Sequence, residues 1–368
     1  MSGPGVYVSI PFCAQKCTYC NFRSDVYSRP LRSEYLNQLA RELCRAEIAP
    51  GGTLYFGGGS PSLLEPQEFS VVSSNLPDGG WDEATLEIAP GEATPDRVRA
   101  WAACGIDRAS LGVQSFDRAV ARAAGRKHGP ETVEAEIDRL VAAGIRTISV
   151  DLIAGLAHQT LATWSRSLEW VARLAVDHVS VYMLETDDDS RLGRELRSGG
   201  TRYGAPDVPS EDLILDLYLE AVERLVAIGF ERYEVSNFAR RGKRSRHNLR
   251  YWTLQPYLGF GSDAHSFDGH RRWSNVSTAP EYVERMKTAG SARATFEELG
   301  PEQLLEDKVL TGLRTRAGVR FDSREWRKVG PRAEPLVAQG WLVADGPSLR
   351  LTDRGLLFAD EAIADLLA

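Results

Sequence analysis

Three cysteines near the start of the chain have the residue type and spacing to bind a metal centre. Cys13, Cys17 and Cys20 fall within eight residues, in the pattern C-x3-C-x2-C. Thiolates in one loop can converge on a soft metal. Three of them would leave one iron of a four-iron cluster open to a small molecule with amino and carboxylate groups. With a distant histidine as fourth ligand they would instead form a zinc site. The spacing therefore predicts an iron–sulfur cluster or a zinc site.

The segments that must position these thiols alternate between two patterns. Short β-branched and aromatic runs predict strands, and the longer stretches between them have helical period. The predicted strands cover 6–10, 53–56, 85–88, 108–113, 147–152 and 178–184. The predicted helices lie near 32–46, 66–75, 95–104, 130–143, 161–174 and 210–228. Six such units in a row predict a parallel sheet with right-handed crossovers, and the apolar strands indicate cover on both faces.

A partial barrel and an open doubly wound sheet both fit this alternation. Residues suited to chemistry lie at or near the end of each predicted strand: the cysteine cluster, the glycine-rich stretch 57–61, Glu87, Gln114, Asp151 and Glu185. Barrels collect their chemistry at the C-terminal ends of strands, whereas a doubly wound sheet concentrates it at one switch point. We therefore predict an α/β fold with a partial (β/α)6 barrel of the TIM type.

The pattern changes after residue 228. Residues 229–275 are rich in aromatic residues, glycine and histidine, and a charged stretch with helical pattern follows from about 280 to 316. Residues 317–368 predict a helix, a hairpin and a closing helix, which indicates a small, mainly helical, winged-helix-like domain. The predicted divisions are a core barrel at 1–235, a connecting region at 236–295 and a C-terminal domain at 296–368.

Composition excludes several classes of protein. The 368 residues carry 44 Lys and Arg against 51 Asp and Glu, a net charge of −7, which argues against nucleic acid as a partner. No stretch of about 18 apolar residues occurs, and the N-terminus lacks the features of a signal peptide. We expect a cytoplasmic protein whose five cysteines remain reduced.

The cysteine spacing after the first strand resembles the radical S-adenosylmethionine (SAM) superfamily. In that superfamily the open iron chelates SAM, and the reduced cluster cleaves SAM to a 5′-deoxyadenosyl radical. Residues 6–13, 111–116, 125–128 and 151–153 are similar, in order, to the group that contains coproporphyrinogen III oxidase (HemN) and the HemW family. The resemblance implies SAM contacts from Tyr7, Gly58, Gly59, Ser60, Glu87, Gln114, Arg126 and Asp151, with Tyr19 and Glu185 as further cofactor-binding candidates. The chain departs from the group's pattern at Ser60, Ala89 and 157–158.

Two features separate the HemW family from the oxidase. Phe22 occupies the position of the oxidase's fourth cysteine, and residues 247–252 form the string H-N-x-x-Y-W, a HemW signature whose implied place is the haem site. The resemblance thus implies a haem chaperone with a [4Fe-4S] cluster, SAM, an electron donor and an unknown haem-acceptor protein, which could bring peripheral membrane contact. The alternatives are an oxygen-independent coproporphyrinogen III dehydrogenase and a zinc-binding structural module.

The haem-binding candidates are two histidines and the aromatic residues of the string. Imidazole is a common axial ligand of haem iron, and Tyr251 and Trp252 offer apolar surface. Five cations precede the string: Arg240, Arg241, Lys243, Arg244 and Arg246. One hypothesis is that this loop binds the propionates while His247 approaches the iron. The alternative is a solvated loop beside a core histidine. His265 is either a second haem ligand or a residue lining the barrel mouth.

Overall fold

The computed structural model describes residues 3–77, 79–186 and 189–368. The strands are β1 (Gly5–Ile10), β2 (Thr53–Gly58), β3 (Glu83–Ile88), β4 (Arg108–Gln114), β5 (Thr147–Ala154), β6 (His178–Met183), β7 (Glu231–Arg232), β8 (Asn237–Ala239), β9 (Tyr257–Phe260), β10 (His265–Phe267), β11 (Arg271–Asn275), β12 (Arg293–Glu298), β13 (Val319–Arg320), β14 (Leu342–Asp345) and β15 (Ser348–Leu351).

The helices alternate with the first six strands and dominate the C-terminal part. They are α1 (Arg29–Arg45), α2 (Pro66–Ser73), α3 (Pro95–Ala103), α4 (Arg118–Ala123), α5 (Pro130–Ala142), α6 (Leu161–Arg173), α7 (Arg191–Arg197), α8 (Glu211–Ala227), α9 (Arg246–Trp252), α10 (Ala279–Thr288), α11 (Pro301–Gly312), α12 (Ser323–Ala338), α13 (Asp353–Leu356) and α14 (Ala359–Leu367). The six predicted strands and the six predicted helices are present.

In the described part of the chain, twelve strands form one sheet in the order β12-β11-β10-β9-β1-β2-β3-β4-β5-β6-β8-β7. Strands β1 to β6 are parallel, and β9 joins β1 in parallel. The remaining strands are added antiparallel at the two sides. The sheet thus places the C-terminal ends of six consecutive strands along one edge.

The two faces of this sheet differ in chemistry. On β3, for example, Ala84, Leu86 and Ile88 are buried in the main hydrophobic core, which they share with the helices. The alternate residues Glu83 and Thr85 lie on the other face with Glu87. The expectation of uniformly apolar strands is therefore wrong: helices cover one face, and polar and aromatic side chains form the inner wall of the barrel, where Glu83 and Thr85 are also buried.

One segment crosses the inner face of the sheet. The Tyr233 hydroxyl lies 2.9 Å from Nε2 of His178 on β6, Nη1 of Arg108 on β4 donates to the Lys243 carbonyl, and the His247 N–H donates to Glu83 of β3. These contacts place the segment against strands β3, β4 and β6. The segment 233–252 closes the N-terminal end of the predicted partial barrel.

The C-terminal part has a core of its own. Side chains from α11, α12, α14 and the sheet β13-β15-β14 form this second core. It contacts the barrel through a bridge between Glu234 and Thr315 and through the Arg316 N–H on the Tyr233 carbonyl, 3.0 Å. The helix, hairpin and closing helix occur as predicted. The domain boundaries stay a prediction, because β9 to β12 continue the barrel sheet through residues 257–298.

Two details of the predicted element order need correction or addition. The stretch 280–316, predicted as helical, contains β12 between α10 and α11, where Arg293–Glu298 pairs with β11. Its polar residues hide the strand period, because β12 is an exposed edge strand. In the described ranges, no helix has the length and apolar character needed to cross a bilayer.

Candidate cofactor site at the mouth of the barrel

The three cysteines lie in the loop after β1, at the C-terminal edge of the sheet. The Cys13 N–H donates to the Asp25 carbonyl at 3.0 Å, and the Lys16 ammonium donates to the carbonyls of Ser24 (2.8 Å) and Phe22 (3.1 Å). These bonds fold the loop back on itself. All three thiols are partly buried, so the loop can present them inward while its outer residues remain in water.

The three thiols have the chemistry of cluster ligands. Burial raises the pKa of the Cys13 and Cys20 thiols, and the other cysteines lie close enough to add to the shift. Thiolates bind both zinc and iron–sulfur clusters, and a cluster binds each thiolate to a different iron. The donor set therefore fits a [4Fe-4S] cluster, and zinc stays the alternative.

The glycine-rich turn after β2 packs directly on the cysteine loop. The Gly59 and Ser60 N–H groups donate to the carbonyls of Ile10 (2.9 Å) and Phe12 (2.8 Å). A Cβ on Gly59 would lie 2.7 Å from the Phe12 oxygen, so only glycine fits. The Ser60 hydroxyl lies beside the Cys13 thiol. Gly59 thus permits close approach of the Phe12 backbone, and its contact with SAM stays a prediction.

Two carboxyl groups lie on the inner wall below this turn. The Tyr55 hydroxyl donates to Glu87 at 2.8 Å, and the Ser110 hydroxyl donates to Asp151 at 3.2 Å. Burial raises the pKa of both carboxyls, and that of Glu87 rises to about 7 with Asp151 adding to the shift. Glu87 also receives the Gly58 N–H. Acceptors so placed can bind the hydroxyl groups of a sugar.

Arg126 brings a cation to the same mouth. Its Nη2 donates to the Tyr19 hydroxyl at 3.1 Å, and a Cβ on Gly112 would contact both Arg126 Nη2 and Gln114 Nε2. Burial alone would lower the pKa of Arg126, but the interactions with Tyr19 and Cys17 outweigh burial and raise that pKa. Its buried Nε has no hydrogen-bond partner in the described structure. An unpaired buried donor is costly, and a ligand carboxylate would satisfy it.

The helix α4 holds Arg126 in place. The Asp117 side chain caps α4 by accepting from Ala119 and Val120 N–H groups. The turn that follows contacts the cysteine loop, because the Gln15 amide donates to the Gly125 carbonyl and the Thr18 N–H donates to the Ala124 carbonyl. Arg126 and the cysteines therefore share one rigid support.

The remaining predicted SAM contacts divide between inner wall and rim. The Tyr7 ring lies 6.0 Å from the Tyr55 ring in a stacked arrangement on the inner wall. Gln114 ends β4 with a left-handed backbone, φ 69°. Glu185 lies exposed after β6, next to residues 187–188, which are outside the described ranges.

The H-N-x-x-Y-W string lies at the other end of the barrel. His247 Nδ1 is 2.8 Å from the hydroxyl of Thr53, the first residue of β2. A Cβ on Gly5, the first residue of β1, would meet Arg250 and His247. The string therefore contacts the N-terminal ends of the strands whose C-terminal ends carry the cysteine loop and the glycine-rich turn.

His247 is a core histidine in this structure. It is 1% exposed, its Nε2 is 2.7 Å from the Tyr251 hydroxyl, and burial lowers its pKa to about 3. Both ring nitrogens are thus engaged, and iron could bind only after one of these bonds breaks. Trp252 is half-buried. The hypothesis of a free His247 approaching haem does not match this arrangement.

The basic loop before the string is also engaged. Arg240 donates to the Val176 and Ile228 carbonyls, and Lys243 donates to the Arg146 carbonyl at 2.7 Å. Arg244 pairs with Glu231 at 3.1 Å. These cations hold the loop against the barrel. Arg241 and Arg246 of the same loop are exposed.

His265 lies at the mouth. It is exposed at the start of β10. Both His265 and Arg23 of the cysteine loop interact electrostatically with the Asp263 carboxyl. The turn before it is held by the Gly261 N–H on Glu42 (2.8 Å) and the Ser262 N–H on the Tyr35 hydroxyl (2.8 Å). Of the two candidate histidines, His265 is the one with an accessible ring.

Several residues of the site were missed from the sequence. Tyr55, Ser110 and Ser180 line the inner wall and contact Glu87 or Asp151. A signal was present, because every second residue of β2, β4 and β6 shares the face of the predicted site residues. Treating the strands as uniformly apolar concealed it.

Comparison with known proteins places these features in a family. The sequence profile of the Radical SAM superfamily matches residues 7–171, and that of the HemN C-terminal domain matches residues 299–358. The structure of coproporphyrinogen III oxidase (HemN) from Escherichia coli, described as a radical SAM enzyme, superposes with a TM-score of 0.85. The superposition covers 99% of this chain and 90% of the HemN chain at 23% sequence identity, which shows the fold.

Sequence relatives extend over nearly the whole chain. Heme chaperone HemW of Lactococcus lactis subsp. lactis (strain IL1403) is 31% identical over 95% of this chain and 93% of its own. The protein of the same name from Mycobacterium tuberculosis (strain ATCC 25618 / H37Rv) is 34% identical over 99% of this chain and 94% of its own. The chain therefore belongs to the HemW family of radical SAM proteins, as the cysteine spacing, Phe22 and the H-N-x-x-Y-W string predicted.

Proposed function

We propose that this protein is a haem chaperone that holds a [4Fe-4S] cluster and SAM at the barrel mouth and passes haem to an acceptor protein. One observation carries the cofactor assignment: the cysteine loop, the unpaired Nε of Arg126 and the carboxyl groups of Glu87 and Asp151 converge at one mouth. The names of the relatives support the chaperone assignment.

Each group at the mouth suits one part of the cofactor pair. Cys13, Cys17 and Cys20 would bind three irons, and the open iron would take the amino and carboxylate groups of SAM. Arg126 would pair with that carboxylate, since guanidinium groups bind carboxylates well. Glu87 and Asp151 would accept from the ribose hydroxyls. When bound, the cluster and SAM supply one-electron chemistry.

The surroundings of the mouth suit haem as cargo. Phe22, 66% exposed on the cysteine loop, offers an apolar surface for the macrocycle. Arg23 next to it pairs with Asp189 at 3.1 Å, and a propionate would replace that exposed partner. We assign the axial ligand to His265, whose accessible imidazole lies on the same side as Arg23. This assignment favours the exposed histidine over His247, whose nitrogens are occupied.

Phe22 also favours a chaperone over the dehydrogenase. The resemblance places a fourth cysteine of the oxidase at this position, and this chain offers an aromatic ring that cannot bind iron. Incubation of reduced, reconstituted protein with SAM and coproporphyrinogen tests the difference. We expect no protoporphyrinogen, and its formation would contradict the chaperone assignment.

The acceptor protein and the electron donor are proposed by class only. The acceptor takes haem, and the donor delivers single electrons to the cluster. A cytoplasmic location and the absence of nucleic acid from the partners stay predictions.

Haem titration of the anaerobically reconstituted protein, with and without SAM, tests the site. We expect the His265→Ala variant to lose at least about tenfold in haem affinity and to change the Soret band, as loss of an axial ligand should. His270→Ala is the matched control, because His270 is also exposed but lies on the β10–β11 turn. An unchanged Soret band in His265→Ala would refute ligation by His265.

A further inference from the structure

The signature string of this chain, H-N-x-x-Y-W, contacts the residues that contact the proposed SAM site. The His247 ring lies 5.0 Å from the Tyr55 ring at an angle of 30°. The Tyr55 hydroxyl donates to Glu87 at 2.8 Å. Two contacts thus connect the N-terminal end of the barrel with a carboxylate at its mouth, through the interior of the barrel.

The lower end of this connection is fixed on all sides. His247 is held by Thr53 on Nδ1 and by Tyr251 on Nε2. Its N–H donates to Glu83 at 3.0 Å, and Glu83 also pairs with Arg108 at 3.5 Å. A ring bonded at both nitrogens and at its own backbone has one orientation. It therefore offers a fixed surface against which the Tyr55 ring packs.

The upper end determines the position of Glu87. Tyr55 packs between His247 and Tyr7, whose ring is 6.0 Å away, and this packing directs its hydroxyl at the Glu87 carboxylate. The other titratable side chains whose charges interact with that of Glu87 are Asp151, Tyr7, Tyr182 and Tyr251. Among these residues, Tyr55 is the one with a hydrogen bond to Glu87.

We infer that His247 is a positioning residue of the SAM site, which acts through Tyr55 to orient the Glu87 carboxylate, and that it is not a haem ligand. The inference rests on the proposed role of Glu87 toward SAM. It gives the string a role at the end of the barrel opposite to the haem cargo. An accessible imidazole at that end is not required.

Equilibrium binding of SAM and haem to the cluster-loaded protein tests the inference. The variants are His247→Ala and Tyr55→Phe, with His265→Ala as the haem-site comparison and His270→Ala as the control. We expect the first two to weaken SAM binding about five- to tenfold, the effect of losing a typical hydrogen bond. Their haem affinity and Soret band should match those of the unsubstituted protein.

The pH profile of SAM binding separates positioning from general damage. Tyr55→Phe keeps the ring and its packing and removes only the hydroxyl. It therefore tests the inference even if His247→Ala fails to fold. Loss of this donor removes a bond that favours the Glu87 carboxylate, so the midpoint of the SAM affinity profile should move to higher pH. A variant that is only less stable would keep the midpoint.

The outcomes are distinct. If the unsubstituted protein binds no SAM, the proposed function fails together with the inference. If it binds SAM and both variants keep its affinity and midpoint, the inference alone is overturned. Loss of haem binding in His247→Ala with normal SAM binding would also overturn it and restore His247 as the haem ligand.

Discussion

Tyr55 and Glu87 form a partly buried pair on neighbouring strands, with the phenol donating to the carboxylate at 2.8 Å. Burial raises the pKa of Glu87 to about 7, and the charge of Asp151 adds to the shift, although the bonds from Tyr55 and Gly58 oppose it. A carboxyl group in water titrates near pH 4.3. The inner wall of the barrel thus holds a carboxyl group that changes charge near neutral pH.

This pair predicts how stability depends on pH without ligands. Because the pKa of Glu87 is higher in the folded than in the unfolded state, its ionisation opposes folding. Its cost is absent below about pH 4 and grows as pH rises to about 7. Between pH 5 and 8, the free energy of unfolding should fall by about 1–2 kcal/mol more in the unsubstituted protein than in Glu87→Gln. Urea unfolding at both pH values measures it, and equal slopes would contradict the assigned shift.

Arg126 predicts a loss of SAM affinity that charge alone cannot restore. Arg126→Ala should weaken SAM binding at least about tenfold, because the ligand carboxylate loses a charged donor. Arg126→Lys should recover little, since lysine lacks the forked donor geometry and the Nε donor. Arg122→Ala, exposed on the helix α4 that precedes Arg126, is the control. Normal SAM binding by Arg126→Ala in isothermal titration would show that the carboxylate binds elsewhere.

Gly59 predicts a structural loss at the cysteine loop. A Cβ there would lie 2.7 Å from the Phe12 oxygen and 2.9 Å from its nitrogen. Gly59→Ala should therefore destabilise the protein by about 1–3 kcal/mol and reduce the iron retained after reconstitution. Gly300→Ala is the control, because its Cβ would meet nothing closer than 3.6 Å. Thermal unfolding and iron content identical to the control would show that the turn can move away from the loop.

The sequence predicted the strands and helices that form the barrel because their periods are strong. It missed α4, a helix of six residues that is stabilised by the Asp117 cap and by packing on the cysteine loop. It missed β12 because the strand is exposed on both faces and its residues are polar or charged for the most part. Short and exposed elements depend on tertiary partners that a local pattern does not contain.

The site was predicted unevenly for a topological reason. Parallel strands place their C-terminal ends together, so the sequence could group Cys13, Glu87 and Asp151 at one mouth. The segment after residue 228 returns to the barrel by a path that no local pattern encodes. His247 was therefore expected near the haem, whereas the chain places it at the N-terminal end of β2.

The proposed function requires three thiolates that hold a four-iron cluster. Anaerobic reconstitution followed by iron and sulfide analysis tests this requirement, with serine substitutions at Cys13, Cys17 and Cys20 and Cys44→Ser as the control, because Cys44 is exposed on α1. We predict about four iron and four sulfide per chain in the unsubstituted protein and in Cys44→Ser, and loss of the brown chromophore in the triple variant. Full iron and sulfide content in the triple variant, or zinc in place of iron in the unsubstituted protein, would contradict the account.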